Sequence, residues 1–421
     1  MKTRAAFFIA LRYLWTRSRE GVRYLKGAAA GIAVSLIPII ITLIVADGMI
    51  RGITDRYIEL GTGHLQIYDL TNFNSTDDVI NTLYKIDGVN GVWPEQRGIG
   101  VIAGRKGRTG VTVRSIESSF WDDPGSADFL IVIEGKNKPV TERDIVLGQE
   151  LASEIGVTVG DTVRLMTLRT LDTGRLTPRN VSFTVSGILS CGYNELDALW
   201  CITSWEGGQR LLSADQSSTS FIIKIDNPYE DADNFAWHLY QTLGGGFSVY
   251  TWKDLLRSQY SSYETTRQLL LFIMTLIVIV AAVNVSSATS MLVLERKRDI
   301  AVLKVSGAGT TGITSIFLWG SFLTGLIGGI IGISLGLFLG VNINIIIHTL
   351  ENILTFFSNL FNGNDVKILD PGFYLETIPI IIDWSAVLMI WVFTILCSVI
   401  ASLIPSGRAG KLKPMDLLRK I

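Results

Sequence analysis

The sequence lacks the motifs by which most enzymes are recognised. Its 421 residues include three histidines and three cysteines, and these form no HExxH or CxxC pattern, so no metal site is predicted. No GxSxG nucleophile motif occurs. The glycine-rich stretch 307–312 has no lysine after it to reach a phosphate, so no nucleotide-binding loop is predicted. We therefore expect a non-catalytic chain that binds no cofactor itself.

Charge is also missing from the long apolar runs. Four segments are long and apolar enough to cross a bilayer as helices, namely 27–50, 268–294, 313–348 (longer than one span needs) and 384–405. Their apolar cores hold no Asp, Glu, Lys or Arg, so no proton relay or ion path is indicated. A secondary transporter is therefore poorly supported. With a net charge of −1, no nucleic-acid partner is expected.

A polar block, 51–267, lies between the first two apolar runs and is too large to be a loop. Its short β-branched segments and helical segments alternate, which predicts a mixed α/β domain. The fold class is thus an α-helical membrane protein with four transmembrane helices and one large mixed α/β extracytoplasmic domain between helices 1 and 2. Strands are expected at 111–116, 129–133, 162–166, 181–185 and 220–225, and helices at 77–86 and 231–243.

The short charged segments predict the orientation in the membrane. Residues 1–26 carry seven Lys/Arg against one acidic residue, and the tail 406–421 is also basic. The loop 349–383 carries one Lys against five acidic residues. Because Lys and Arg in short segments mark the cytoplasmic side, both termini and the connector 295–312 are expected in the cytoplasm. The large domain and the loop 349–383 are then expected outside.

The N-terminal segment 1–26 has an amphipathic pattern. Phe7, Phe8, Leu11, Leu14 and Trp15 share one helical face, and most of the arginines lie off it. The pattern is typical of a helix lying along the inner leaflet. The alternative is that this segment simply extends the first span.

The connector 295–312 has a helical pattern of its own between the second and third spans. Ile300, Leu303 and Gly307 lie on one side of it, with Arg296, Asp299 and Lys304 elsewhere. A loop that only reverses the chain needs just a few polar residues, so a helix here indicates a docking surface.

Other segments leave two interpretations open. Residues 168–180 are either a mobile hairpin tip or a grip for a partner. Pro38 either is tolerated in the first span or shapes a cavity open to lipid. Cys191 and Cys201 either pair or remain buried thiols. The ladder Gly328, Gly332, Gly336 and Gly340 permits close helix packing, within the chain or with a second subunit.

The connector ERKRDIAVLKVSGA, 295–308, resembles the coupling segment of the MacB/FtsX-type ABC transporter permeases. The opening FIALRYL, 8–14, and matches within 187–212 resemble the lipoprotein-releasing LolC/LolE branch of that group. The segments 369–379 and 401–419 fit as well, so the resemblance covers the whole chain.

The resemblance implies a role for each of these segments. The connector would dock on a cytoplasmic ABC ATPase dimer, which would bind the ATP and Mg²⁺. The matching motif begins at Glu295 and includes Gly307. Ile300 and Leu303 would fill the ATPase groove. The polar contacts would come from Arg296, Lys297, Arg298, Asp299 and Lys304. A hook at 168–180 would bind a periplasmic lipoprotein carrier through Leu171, Leu176 and Pro178. The first span, with Ser35, Pro38 and Ile39, would face a second permease (a sister subunit or a copy of itself) and wall a cavity for the acyl chains.

The implied function is that of a permease subunit that extracts lipoproteins from the outer leaflet of the inner membrane and passes them to a periplasmic carrier. Membrane lipid would surround it. Two alternatives share the connector: a MacB-like exporter permease, and an FtsX-like permease that transmits ATPase motion to an external hydrolase. The hook-like stretch and the opening FIALRYL favour lipoprotein release.

Overall fold

The protein is described from a computed structural model that covers residues 3–15, 21–70, 76–170, 176–212, 219–244, 246–361, 375 and 377–412. The chain forms two units, which are treated separately below. The helical unit comprises 1–48, 264–366 and 378–421, and the sheet unit comprises 49–263 and 367–377.

The described part of the chain contains fourteen α-helices and ten strands. The helices are α1 Thr3–Trp15, α2 Gly21–Arg56, α3 Thr76–Leu83, α4 Pro124–Ala127, α5 Gln149–Ile155, α6 Asn194–Asp197, α7 Trp205–Leu211, α8 Ala232–Leu243, α9 Trp252–Leu255, α10 Arg257–Glu295, α11 Lys297–Val305, α12 Thr310–Val341, α13 Ile343–Phe361 and α14 Trp384–Lys411. The strands are β1 Leu65–Asp69, β2 Gly91–Ala103, β3 Arg108–Ile116, β4 Ile131–Gly135, β5 Asp144–Gly148, β6 Thr162–Thr170, β7 Leu176–Ser190, β8 Trp200–Thr203, β9 Thr219–Lys224 and β10 Phe247–Thr251.

Four helices in the described ranges are long and apolar enough to cross a membrane: Leu25–Thr62 (α2 with the π-helix Tyr57–Thr62 that follows it), α10, α12 and α14. Three of them, α2, α10 and α14, each contain one of the apolar segments expected from the sequence, and α12 contains most of the fourth. Three of the helices run well past those segments, because α2 begins at Gly21, α10 begins at Arg257 and α14 continues through Pro405 to Lys411.

The third apolar segment is not one continuous helix. The expectation of a single span over 313–348 and a loop from 349 is wrong, because α12 ends at Val341 and α13 occupies Ile343–Phe361. At the break, Asn342 has φ −97° and ψ 16°, and its side-chain amide donates a hydrogen bond of 2.7 Å to the carbonyl oxygen of Phe338. Asparagine competes with helical backbone pairing in this way, which a count of apolar residues does not detect.

The N-terminal helix α1 packs within the helical unit. Ala6 and Ala10, one turn apart, are buried, and the ring of Phe7 meets that of Trp319 edge to face at 5.2 Å. Phe8 faces outward. The described residues therefore place α1 against α12 as a helix separate from α2, with 16–20 outside the described residues.

The sheet unit is built on a closed ring of six strands. In order around the ring, β2 pairs with β3, β3 with β8, β8 with β5, β5 with β7, β7 with β6, and β6 again with β2. Alternate residues of these strands point inward and form one apolar core, which includes Val113, Leu147, Val163 and Phe183. Strand β4 pairs with the end of β7 outside the ring.

A second sheet extends from the same ring through strand β2. In it β2 pairs with β9, β9 with β1, and β1 with β10, all antiparallel. A second apolar core covers this sheet and draws on α3 and α8, through residues such as Val79 and Leu239. Because β2 belongs to both sheets, it joins the two cores into one domain.

The sheet unit confirms most of the elements expected in the polar block. The expected strands at 111–116, 162–166, 181–185 and 220–225 correspond to β3, β6, β7 and β9. The expected helices at 77–86 and 231–243 correspond to α3, which ends earlier at Leu83, and to α8. The strand expected at 129–133 begins at Ile131. Strands β1, β2, β8 and β10 were not predicted. Cys191 and Cys201 are free, buried thiols that belong to different apolar clusters.

Buried charge stabilises the sheet unit next to its cores. The Nε atom of Arg114 donates a hydrogen bond of 2.6 Å to Glu95, and Arg97 donates one of 2.7 Å to the other carboxylate oxygen. Arg114 also donates to the carbonyl oxygens of Leu60 and Gly61. Burial lowers the pKa of Arg114 to about 10, so the guanidinium stays charged at neutral pH and needs these partners.

Candidate functional site

Helix α11 is set off from its neighbours by a turn at each end. The backbone leaves helical geometry at Arg296, between α10 and α11. At the other end, Gly307 has φ +91°, in the left-handed region that favours glycine. The amide of Gly307 bonds the carbonyl of Lys304 at 3.0 Å, and that of Ala308 bonds the carbonyl of Leu303 at 2.9 Å. This is the Schellman pattern, so Gly307 ends the helix.

The face of α11 that carries Ile300 points into the helical unit. Ile300 is 1% exposed and Ala301 is equally buried, and Leu303 packs on the same cluster. That cluster also contains Ala6 of α1, Phe317 of α12 and Ala409 of α14. The expectation that Ile300 fills a partner's groove is therefore wrong, because its side chain belongs to this core. Leu303 is half-buried against the same core, and its contact with a partner stays a prediction.

Lys304 is also used within the chain. Its Nζ donates a hydrogen bond of 2.7 Å to the carbonyl oxygen of Gly410 and another to that of Leu412, at the end of α14. A cation at a helix C-terminus pairs with the carbonyls that the helix leaves free. Lys304 was expected to contact a partner, but it holds α11 against α14 instead.

The other charged residues of the connector differ in how exposed their side chains are. Arg296 donates from Nη1 to Asp299 at 3.2 Å. Glu295 ends α10, and its Oε2 is buried without a hydrogen-bond partner among the described residues. Lys297 is half-buried, and Arg298 is exposed. Of these side chains, Arg298 is the one most open to a partner.

The outward face of α11 combines this arginine with two valines. Val302 is 64% exposed and Val305 is 71% exposed. Residues 298, 302 and 305 follow the helical spacing i, i+4, i+7, so they share one face. Sequence reasoning missed both valines because it took Ile300 and Leu303 as the outward apolar pair. The same helical spacing, applied to 298, 302 and 305, identifies this face from the sequence.

The candidate cavity residues of α2 do not form one surface. Ile39 is 1% exposed and packs in the core of the helical unit, so the expectation that it lines a cavity is wrong. Ser35 donates its hydroxyl to the carbonyl of Gly31 at 2.9 Å, within its own helix. Pro38 is exposed, as is Val34 one turn before it. The open face of α2 is thus the one that carries Val34 and Pro38.

The four glycines of the ladder pack against α2 inside the chain. A Cβ added to Gly328 would lie 2.7 Å from the carbonyl oxygen of Ala29, and one added to Gly332 would lie 2.9 Å from backbone atoms of Ala33. Gly336 and Gly340 meet the side chains of Ile40 and Ile44 in the same way. The ladder brings α12 close to α2, which is intrachain packing.

One arginine links three helices of the helical unit. It lies in the first half of α10, away from the end of that helix that leads into α11. Arg267 of α10 pairs with Asp47 of α2 and with Asp383, each at 3.1 Å. Asp383 also caps α14, because its Oδ1 accepts hydrogen bonds from Ser385 and Ala386. Hydrogen bonds from Ser385 and Ala386, with Arg267 nearby, hold the pKa of Asp383 below its ordinary value. None of these residues was singled out from the sequence.

The candidate hook is the end of the hairpin β6–β7. Leu168 and Pro178 stand opposite each other across the two strands, and both are exposed. Met166, two residues earlier on the same face, is also exposed. Leu171 lies outside the described residues, and Leu176 begins β7, with its side chain outside the description. The described apolar surface of the hairpin is therefore Met166, Leu168 and Pro178.

Two family models match the chain one after the other. The model described as "MacB-like periplasmic core domain" matches residues 27–235, and the one described as "FtsX-like permease C-terminal" matches residues 271–414. No group of His, Cys, Asp or Glu in the described ranges could hold a metal ion.

Proteins of similar length match along nearly the whole chain. The "Lipoprotein-releasing system transmembrane protein LolC" of Xylella fastidiosa (strain 9a5c) is 28% identical over 98% of both chains. The protein LolE of the same system from Haemophilus influenzae is 26% identical, again over 98% of both. A crystal structure of the periplasmic region of MacB from Actinobacillus actinomycetemcomitans aligns with 47% of this chain and 92% of its own, at 16% identity and a TM-score of 0.31. The succession of the two matched regions and these full-length relatives identify the chain as a member of the MacB/FtsX superfamily of ABC transporter permeases, similar throughout to its LolC and LolE members.

Proposed function

We propose that this chain is the permease subunit of an ATP-driven ABC transporter that extracts lipoproteins from the outer leaflet of the inner membrane and passes them to a periplasmic carrier. The observation that carries the proposal is the full-length match to proteins named for lipoprotein release. A match confined to the sheet unit or to the last helices would support only the wider superfamily.

The proposed orientation places both termini and α11 in the cytoplasm and the sheet unit in the periplasm. The basic residues before α2 and after α14 support it, as does the acidic loop that precedes α14. In this orientation Asp47, Arg267 and Asp383 mark the outer ends of three spans.

The chain itself would carry out no catalysis. A cytoplasmic ABC ATPase dimer would bind ATP and Mg²⁺ and dock on α11 through Arg298, Val302 and Val305. The two exposed valines offer an apolar contact and the arginine offers a charged one, a combination common in protein interfaces. Because Ile300 and Lys304 tie α11 to α1, α12 and α14, a displacement of α11 would move those helices with it.

A second permease, either a sister subunit or another copy of this chain, would face α2. The exposed Val34 and Pro38 support this placement, since they form an open apolar face on the first span. Acyl chains of the lipoprotein would lie between the two permeases, within the surrounding membrane lipid. The apolar strip Met166, Leu168 and Pro178 on the β6–β7 hairpin would bind the carrier.

The proposal is tested by purifying the chain from detergent-solubilised membranes and identifying its partners by mass spectrometry. We expect an ABC ATPase, a second permease chain and triacylated lipoproteins. Val302→Asp should lose the ATPase, because it buries a charge in the proposed contact, and the matched variant Val302→Ile should retain it. Recovery of an ATPase with a cell-wall hydrolase and no lipoprotein would overturn the proposal in favour of an FtsX-like role.

A further inference from the structure

Helix α13 exposes its apolar side. Six large apolar side chains are open on it, with Phe356 at 69% and Ile345 at 65% exposure; the others are Leu350, Ile353, Leu354 and Phe357. At 100° per residue these six positions fall on one half of the helix. An exposed apolar face of this size favours an apolar environment, since apolar side chains gain free energy on leaving water.

The polar side of α13 is more buried than its apolar side. Asn344, Glu351, Thr355 and Ser358 are half-buried and lie on the half opposite the six apolar residues. A helix on the surface of a water-soluble protein buries its apolar stripe and exposes its polar one. Helix α13 has the reverse arrangement, which is the one expected where the surrounding medium is lipid.

The first turn of α13 is fixed near the outer ends of the spans. The side chain of Asn344 donates to the carbonyl oxygen of Ile378 at 2.9 Å and accepts from its amide at 3.1 Å. The next residue, Pro379, contacts Gly48 of α2 so closely that an added Cβ on Gly48 would lie 2.1 Å from its carbonyl oxygen. Gly48 adjoins Asp47, which Arg267 links to Asp383.

We propose that α13 lies in the outer surface of the membrane, with Ile345, Ile353 and Phe356 inserted among the acyl chains of the outer leaflet. The side of the membrane rests on the orientation given under Proposed function, whereas the contact with lipid does not. Interfacial helices combine a wide apolar face, which lies among the acyl chains, with a polar face on the opposite side. On α13 the described polar residues include one carboxylate, Glu351, and one imidazole, His348. The occupant is therefore phospholipid acyl chain, in the leaflet from which lipoproteins would be extracted.

Spin labels on the two faces of α13 test the proposal. Phe357→Cys places a nitroxide on the apolar half of the helix. The matched control His348→Cys, nine residues earlier and therefore about 180° away around the helix, places one on the polar half, where the side chain is also exposed. The full-length chain is reconstituted in nanodiscs of phosphatidylethanolamine and phosphatidylglycerol, and the unsubstituted chain, labelled in parallel, corrects for its three native cysteines. Collision rates are then measured with molecular oxygen, which concentrates in lipid, and with a water-soluble nickel chelate.

We expect oxygen to relax the label at 357 more than nickel does, and nickel to relax the label at 348 more than oxygen does. Greater relaxation by nickel at 357 would place the apolar face in water and overturn the proposal. Protection of 357 from both agents would show that protein covers this face and would overturn it as well. The measurement uses neither ATPase nor lipoprotein, so failure here is distinguishable from failure of the transport function.

Discussion

Lys304 and Gly410 are joined by a hydrogen bond of 2.7 Å from the lysine Nζ to the glycine carbonyl oxygen. The bond connects the short helix α11 to the C-terminal end of α14. The same ammonium also donates to the carbonyl of Leu412. A residue that sequence comparison assigns to a partner's surface therefore holds two parts of this chain together.

Replacing this lysine should destabilise the helical unit. Lys304→Met removes hydrogen bonds from a charged donor, each of which contributes about 1.5–3 kcal/mol, so the temperature of thermal unfolding in detergent should fall. Lys297→Met is the control, because it removes the same charge from the first turn of the same helix, where a cation is slightly unfavourable. Equal losses in the two variants would contradict the role given to Lys304.

Two glycines of α12 should respond in opposite ways to alanine. At Gly332 an added methyl group meets the backbone of Ala33 at 2.9 Å, so Gly332→Ala must push α2 away and should cost about 1–3 kcal/mol. At Gly320 an added Cβ meets nothing within 4 Å, and alanine favours helix by about 1 kcal/mol over glycine. Thermal unfolding of the two variants measures the difference. A Gly332→Ala chain as stable as Gly320→Ala would mean that α2 and α12 are not packed this closely.

The cap and ion pair of Asp383 should make stability depend on pH. Hydrogen bonds from Ser385 and Ala386 and the charge of Arg267 lower the pKa of Asp383 in the folded chain, so the folded state favours the ionised carboxylate. Its stabilising effect is present in full above the ordinary aspartate pKa of about 4 and is lost as pH falls through the lower folded value. The difference in unfolding temperature between the unsubstituted chain and Asp383→Asn should thus shrink from pH 6 to pH 3. A constant difference would contradict this account.

Much of the fold could be predicted because the patterns are local. The segment Val111–Ile116 is rich in β-branched residues, and the apolar run in α10 identifies a helix long enough to cross a membrane. Strand β2 was missed because Pro94, Gly98 and Gly100 weaken the strand signal. Nevertheless β2 is the strand that joins the two sheets, since its partners come from distant parts of the chain.

The position of the candidate site in the chain was predicted correctly, but the face of the helix that points outward was not. A helix was predicted within 295–312, and α11 lies there at Lys297–Val305. Which side of it faces inward depends on α1, α12 and α14, which supply the core around Ile300. No local pattern contains that information. The break at Asn342 is similar, because a single asparagine, whose amide donates to the Phe338 carbonyl, separates α12 from α13.

The most direct measurement is lipoprotein release in proteoliposomes that contain this chain with the ATPase and second permease that copurify with it. A triacylated lipoprotein is reconstituted alongside, and its appearance in the soluble fraction bound to a periplasmic carrier is followed with ATP or with a non-hydrolysable analogue. The account predicts release with ATP and little with the analogue, and loss of release for Val302→Asp but not for Val302→Ile. Robust ATP hydrolysis by the wild-type complex without any release of lipoprotein would contradict it.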